Sequence, residues 1–289
     1  MFGAAAGAGN ARRGGGAVPP WTLLLASLLA SLLHAGAAQA QAQAQAPGVP
    51  LKIYGMENKP TSFMRDGRPD GLVVELVAAV QQRLGRPERV QIIPWTRANA
   101  LAKAEPNVML AAVVRTPERE AFLHFVGPVF TTRISAYVVK GRLDELRRKD
   151  PGLRKVRAGG QRASVFVSLP RRMGYNVTDE VNTAETAAKM LMSRRFDLWF
   201  VAEELMPASM ELAGYRPEAV ELAFNLGVNG VYFAFSKGTP AATIVAWSDA
   251  LRDMKRDGSF LKIHQKWLPV SQLPQDVPQL LPSFPASQR

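Results

Sequence analysis

Apolar positions in this chain come in short runs that alternate with stretches of helical spacing. Leu51-Lys52-Ile53-Tyr54 predicts a strand, and Gly71 to Leu84 an amphipathic helix stopped by Gly85 and Pro87. Val90-Gln91-Ile92-Ile93 alternates with period two and predicts a second strand, and Ala98 to Ala104 a short helix. The apolar run Val108 to Val114 is too short for most helices and reads as a buried strand. Strand, helix, strand, helix, strand in this order predicts an α/β sheet with helices on its faces.

After this the texture changes. Ile134 to Val139 predicts a strand, Lys140 opens a basic segment, and Ala158-Gly159-Gly160 reads as a loop. Helices are expected over Ser164 to Met173, Thr183 to Ser193 and Glu203 to Ala213, with a buried strand over Phe196 to Val201. Gly230 to Ser236 is a further strand, followed by helices over Pro240 to Lys255 and Phe260 to Trp267, joined at Asp257-Gly258. From Pro269 onward, five prolines in 21 residues predict an extended tail rather than a packed element. No internal repeat of fixed period is present.

The N-terminus carries a different signal. Arg12 and Arg13 precede the apolar run Trp21 to Leu33, and small residues then lead to Ala38-Gln39-Ala40. A basic start, a run too short to span a bilayer and an A-x-A site predict a signal peptide over residues 1–40, with a flexible Gln/Ala leader over 41–50. The glycines after Arg13 favour the general export route over the twin-arginine one. Export to the periplasm fits the absence of cysteine, and no thiol follows the apolar run to take a lipid anchor. The mature chain is expected to be soluble, not membrane-embedded, and monomeric. Its 249 residues suffice for one large domain or two lobes of ~100 residues each.

The formal charge is +12, and ten Lys/Arg stand against three acids between Arg142 and Arg172. An exported protein rarely meets nucleic acid, and the interleaved aromatics of a single-strand binder are missing. That segment therefore reads as a solvated basic surface, or as a source of field that favours anions. Thiolate metal sites are excluded, and His124 and His264 stand too far apart in sequence to suggest a metal centre. No metal or other cofactor is expected.

Two stretches carry a family resemblance. The first is Pro94-Trp95-Thr96-Arg97-Ala98, then Arg115-Thr116-Pro117-Glu118-Arg119-Glu120 and Phe125-Val126-Gly127-Pro128. The second is Phe235-Ser236-Lys237-Gly238-Thr239-Pro240, leading through Trp247 to Met254-Lys255-Arg256-Asp257-Gly258 and Ile263 to Trp267. With Pro60-Thr61-Ser62-Phe63, Asp66-Gly67 and Gly71-Leu72 they span about residues 51 to 268. In order and spacing the chain resembles periplasmic solute-binding proteins of the polar-amino-acid type, bacterial extracellular solute-binding protein family 3, the substrate-binding component of ABC transporters.

The resemblance implies a type II periplasmic-binding-protein fold, with two α/β lobes joined by two crossover segments and a ligand cleft between them. Lobe 1 would comprise residues 51–139 and 231–268, lobe 2 residues 140–230, and the Pro-rich tail residues 269–289. The implied partners are a small-molecule ligand and the membrane permease of an ABC transporter. A module that reports ligand to a membrane signalling partner is the alternative.

The resemblance also names candidate ligand contacts. Arg119 would pair with a ligand carboxylate in bidentate fashion, helped by N–H groups of a helix beginning near Thr116-Pro117. Trp95 would place its ring against the ligand or belong to the core, and Arg97 beside it would contact an anion or stack on the indole. Arg115 is read as a ligand contact or as an ion-pair partner of Glu75 or Glu118. Arg162 stands where a small hydroxyl residue is common. Glu57 or Asn58, with Ser62 and Phe63, would line the lobe-1 wall, or serve only as turn residues. The family's acid for a ligand ammonium falls on Ala202, so Glu203 is the candidate substitute, with Glu204 next. Ala111, Ala112 and Val114 replace family hydroxyls, which favours an anionic ligand, either an amino acid or a related organic acid.

An enzyme on the same scaffold is the competitor from another class. The chain holds no G-x-S-x-G elbow, H-E-x-x-H, P-loop or dinucleotide fingerprint. Glu57, Glu75, Glu203 and Glu204 form no motif that commits a pair to glycoside cleavage. The expectation is a binding protein without catalytic residues.

Overall fold

The computed structural model describes residues 50–86 and 88–277. The expected signal peptide, the leader up to residue 49 and the last part of the tail lie outside the described residues.

The opening strand β1 (Lys52–Gly55) leads to a hairpin of β2 (Phe63–Arg65) and β3 (Arg68–Asp70), whose turn is Asp66-Gly67. Helix α1 (Leu72–Leu84) follows, and Gly85 closes it in a left-handed conformation. Its first amides are satisfied by the preceding loop, Leu72 donating to Pro60 O at 3.2 Å and Val73 to Thr61 O at 2.9 Å. Gly71 permits this because its φ is +115°, and a Cβ there would sit 2.7 Å from Thr61 O. Next come β4 (Val90–Ile92), α2 (Trp95–Ala104), β5 (Val108–Val114) and the single turn α3 (Pro117–Glu120).

Two long strands cross the molecule, β6 (Leu123–Val139) and β10 (Val220–Ser236). Between them lie α4 (Leu143–Lys149), β7 (Ala158–Gln161), α5 (Val165–Arg172), β8 (Val177–Val181), α6 (Ala184–Met192), β9 (Leu198–Ala202) and α7 (Met206–Leu212). Helices α8 (Ala241–Arg256) and α9 (Ser259–Trp267) follow β10. The sheet order is β4-β1-β5-β10-β6-β9-β7-β8. β10 pairs antiparallel with β6 along its whole length, from Val220 opposite Val139 to Ser236 opposite Leu123. Parallel strands flank this ribbon on both sides, with β5 meeting β10 at Val231–Phe235 and β9 meeting β6 at Ile134–Tyr137.

Each flank has its own core. Leu72, Leu76 and Val80 of α1 pack with Met109, Phe233, Trp247, Met254 and Phe260 on one face of the first flank. Tyr54, Trp95, Ala98 and Leu110 fill its other face. In the second flank β9 is buried on both sides, with Trp199 and Val201 facing α6 and α7 while Leu198 and Phe200 face α4 and α5. This two-sided burial explains why its sequence is a continuous apolar run.

The structure departs from expectation in several places. Ala158-Gly159-Gly160 is not a loop but part of β7, buried between β8 and β9. A Cβ on Gly159 would meet the Phe196 ring at 2.3 Å, and one on Gly160 would lie 2.6 Å from Phe166 O. The glycines therefore serve close packing rather than chain reversal. β6 and β10 run much further than Ile134–Val139 and Gly230–Ser236, because Thr131-Thr132-Arg133 and Asn225 to Asn229 break the apolar pattern without breaking the pairing. The described part of the Pro-rich tail is packed: Gln272, Leu273 and Val277 are buried, and Asp276 pairs with the buried Lys255 at 2.6 Å.

Candidate ligand-binding site

The C-terminal ends of β1, β5, β7 and β9 converge on one cavity, with β6 and β10 forming its floor. Strand ends supply most contacts in such sheets because their loops are free to carry side chains inward. The cavity volume is about 70 Å³, several times what one ordered water requires.

Arg119 and Glu204 are the two charged residues in the wall among the described residues. α3 brings Arg119 in from the first flank, where its Nη1 donates to Val114 O at 2.7 Å. The guanidinium carbon lies 5.0 Å from the centre of the Trp95 ring. It forms no ion pair among the described residues, and its pKa falls to about 10 through burial and, secondarily, through the charge of Arg172. It therefore stays protonated at neutral pH.

Glu204 enters from the turn after β9. Thr132 Oγ1 donates to its Oε2 at 2.7 Å, and Gln272 Nε2 to the same oxygen at 3.3 Å. Among the described residues no cation pairs with it, and burial, with help from neighbouring Glu203, pushes its pKa up to about 7. The rest of the wall is mixed. Met56, Phe130 and Val231 are apolar, and Asn58, Thr61, Gln161 and Ser164 are polar. Ser164 caps α5, accepting from Phe166 N at 3.1 Å, so the positive end of that helix faces the cavity.

Side-chain contacts join the flanks around this space, the Gln272–Glu204 bond among them. Trp95 Nε1 donates to Ala163 O at 2.8 Å, and Glu118 pairs with Arg172 at 2.7 Å.

Of the residues singled out from the sequence, Arg119, Trp95 and Asn58 line the cavity, as do Ala112, Val114, Ala202 and Glu204, while the other candidate contacts do not. Arg97 is exposed, and the cation on the Trp95 ring is Arg119 instead. Arg115 points to solvent, paired with Glu120 at 2.6 Å rather than with Glu75 or Glu118. Arg162 is exposed and reaches Glu180 O at 3.3 Å. Glu203 pairs with Arg133 at 3.2 Å outside the cavity. Glu57 accepts from Met64 N, Ser62 Oγ bridges the Met56 backbone, and Phe63 packs edge-on against Trp267; all three are structural. The amides of Arg119 and Glu120 are already bonded to Thr116 O, so α3 offers no free helix N-terminus.

Glu204 was named only after Glu203, and Thr132, Gln161 and Ser164 of the wall, with Gln272 behind Glu204, were not singled out. A period-two count from Ala202, which lines the cavity, passes over Glu203 and lands on Glu204. Gln272 had no sequence signal.

Residues 53–270 match the family of bacterial extracellular solute-binding proteins, family 3. The chain belongs to that family. Family 3 proteins bind solutes, and this chain is a solute-binding protein of the amino-acid type used in ABC transport. It is 24% identical over 198 residues to the L-cystine-binding protein TcyA of Bacillus subtilis (strain 168), covering 68% of this chain and 72% of that one. Among solved structures, a histidine kinase sensor domain with similarity to periplasmic binding proteins superposes with a TM-score of 0.66 at 17% identity, over 77% of this chain and 97% of that one. The substrate binding protein of an amino acid ABC transporter gives a TM-score of 0.63 at 17% identity, over 75% and 99%. These likenesses make the fold the two-lobed type II one. Among the described residues no helix is long and apolar enough to cross a membrane.

Proposed function

We propose that this protein captures a small carboxylate-bearing solute, an amino acid or related organic acid, outside the cytoplasm and delivers it to the permease of an ABC importer. The observation that carries this reading is Arg119, a guanidinium in the cavity wall that forms no ion pair among the described residues. A planar guanidinium already held on one side by Val114 O and Trp95 keeps N–H groups for a bidentate pair.

We take lobe 1 as residues 51–139 with 231–268 and lobe 2 as 140–230. The bend lies where the β6–β10 ribbon changes neighbours, near Thr131–Arg133 and Val228–Gly230. Closure about that ribbon would swing Ala163 onto Trp95 and Arg172 onto Glu118. The signal peptide over 1–40 would deliver the chain to the periplasm.

Binding rather than catalysis is favoured because Glu204 is the one carboxyl in the cavity wall among the described residues. Glu57, Glu75 and Glu203 lie outside it, so there is no carboxylate pair to flank a scissile bond. The likeness to a kinase sensor domain supports a second role, reporting ligand to a membrane signalling partner.

Native mass spectrometry of freshly purified protein, followed by calorimetry against amino acids, dicarboxylates and other organic anions, tests the reading. Binding of a carboxylate that survives Arg119→Ala unchanged would sink it.

A further inference from the structure

The basic segment that opens at Lys140 takes no part in the cavity, and the sheet topology decides where it gathers. β7, β8 and β9 run parallel, with the C-terminal ends of β7 and β9 at the cavity. β6 is antiparallel to β9 and β10 to β6, so β6 ends and β10 begins at the opposite end of the second flank. Four connections meet there: 140–157, 173–176, 193–197 and 213–219. They carry eleven Lys/Arg against five Asp/Glu. Arg142, Lys149 and Arg157 are in ion pairs, and Arg147 and Arg154 donate to Ala223 O and Met173 O. The remaining six, Lys140, Arg148, Lys155, Arg194, Arg195 and Arg216, are exposed and make neither an ion pair nor a side-chain hydrogen bond among the described residues. The corresponding end of the first flank, at 85–89, 105–107, 121–122 and 237–240, is nearly balanced. It holds Arg86, Arg89 and Lys237 against Glu88 and Glu105.

Apolar side chains break the surface at the same end. Leu212, the last residue of α7, is 62% exposed, and Met173 and Tyr215 are each 38% exposed. Helices α6 and α7 pack together around one core and both end here, which brings the turn at Arg194-Arg195 beside the turn from Leu212 to Arg216. A merely solvated basic surface has no use for an exposed leucine and tyrosine among its cations. A bilayer interface does. Anionic headgroups attract Lys and Arg, while leucine and tyrosine enter the boundary between headgroups and acyl chains. A nucleic acid would engage the cations and could stack a base on Tyr215, but would leave Leu212 and Met173 without a partner.

We propose that the end of the second flank opposite the cavity is a docking surface for a membrane rich in anionic phospholipid, with Leu212 and Tyr215 entering the headgroup boundary among Arg194, Arg195 and Arg216. None of these residues lines the cavity, so the inference does not depend on what the cavity binds. The contact is peripheral and reversible. Exposed charges are screened over about 8 Å at physiological ionic strength, so the contact weakens as salt rises. With this end on the bilayer the cavity lies at the far side of the second flank, and the protein can take up ligand while held at the surface. Such residence raises its effective concentration near a membrane partner without any further contact.

The test is co-sedimentation of the intact mature protein with vesicles of phosphatidylcholine alone and of phosphatidylcholine mixed with an equal part of phosphatidylglycerol. Partition into the anionic vesicles should be stronger by about tenfold or more at low salt and should fall steeply as sodium chloride is added. Changing Arg148→Glu, Lys155→Glu and Arg195→Glu together should lower that partition by about tenfold or more. The charge-matched control is Arg89→Glu, Lys237→Glu and Arg256→Glu on the first flank, all three exposed. It should retain most of the binding. Leu212→Ser with Tyr215→Ser should weaken the part of the binding that survives high salt. Should the triple variant fail to melt cooperatively, the same three positions changed to glutamine take its place. Equal partition into both kinds of vesicle, no partition at all, or equal losses in the two triple variants would overturn the proposal. So would tighter binding to a single-stranded oligonucleotide than to the anionic vesicles, which would assign this end to a polyphosphate chain. The reading of Arg119 stands or falls separately, by ligand calorimetry.

Discussion

The Arg119 guanidinium lies over the Trp95 ring at 5.0 Å, while the indole N–H of Trp95 reaches across the cleft to Ala163 O at 2.8 Å. One side chain thus packs its face against the proposed carboxylate anchor and touches the opposite flank through its edge.

Arg119→Ala should cost at least ~2 kcal/mol of affinity for a carboxylate ligand, about 30-fold in dissociation constant. Arg119→Lys keeps the charge but loses the planar fork, so roughly a tenfold loss is expected. Isothermal calorimetry on both variants decides the point. A lysine variant as good as wild type would mean the contact is a simple point charge.

Trp95→Phe removes the cross-cleft hydrogen bond and keeps most of the ring. A net hydrogen bond is worth about 0.5–1.5 kcal/mol, so affinity should fall roughly threefold to tenfold. The change should appear in the dissociation rate, measured by stopped-flow. A slowed association with unchanged dissociation would contradict a closing role.

The stability of the ligand-free protein should fall as pH rises from about 4.5 through 7. In that range the native state holds a proton on Glu204 that the unfolded chain releases, so folding is favoured at the acid end. The effect is at most on the order of 3 kcal/mol. Glu204→Gln should flatten this part of the profile, and urea titrations at three pH values would reveal it. An identical slope in the variant would exclude Glu204 as the source.

Gly159→Ala should destabilise by about 1–3 kcal/mol through overpacking against Phe196. Phe196→Leu in the same chain should recover part of that loss. Thermal unfolding of the two single variants and the double variant provides the coupling energy. Strict additivity would mean that the Gly159 cost arises elsewhere.

Truncation after Leu268 removes the buried Leu273 and Val277 and leaves Lys255 without Asp276. Each apolar side chain is worth about 1.5–3 kcal/mol of burial, so the melting temperature should drop by several degrees. A truncated protein with unchanged melting would return the segment to the status of a tail.

Much of the scaffold was legible because its elements carry local signals. β5 coincides with the apolar run Val108–Val114, and α1 ends at Gly85 as its cap demands. Helices α5 and α6 begin after Ser164 and Thr183, whose side chains accept from Phe166 N and Thr186 N. Other elements hid their signal. β7 read as a loop because its glycines answer to Phe196 and to the Phe166 backbone, neighbours that the local sequence does not reveal. β8 (Val177-Thr178-Asp179-Glu180-Val181) is an edge strand in which three polar residues outnumber two buried valines, so no apolar run marks it.

By itself the sequence determined the α/β class and the family and singled out Arg119, which the structure places in the cavity wall, because periodicity, caps and motif spacing are local properties of the chain. Only the tertiary structure decided which charges face one another. It turned Arg97, Arg115 and Arg162 to the surface and put Glu204, not Glu203, in the cavity wall. It also brought Gln272 to a site whose other residues lie up to 216 positions away, at Met56. A side chain's direction at a strand end depends on one-residue register, and its protonation on what is packed around it. Neither is set until distant segments close on the same cavity.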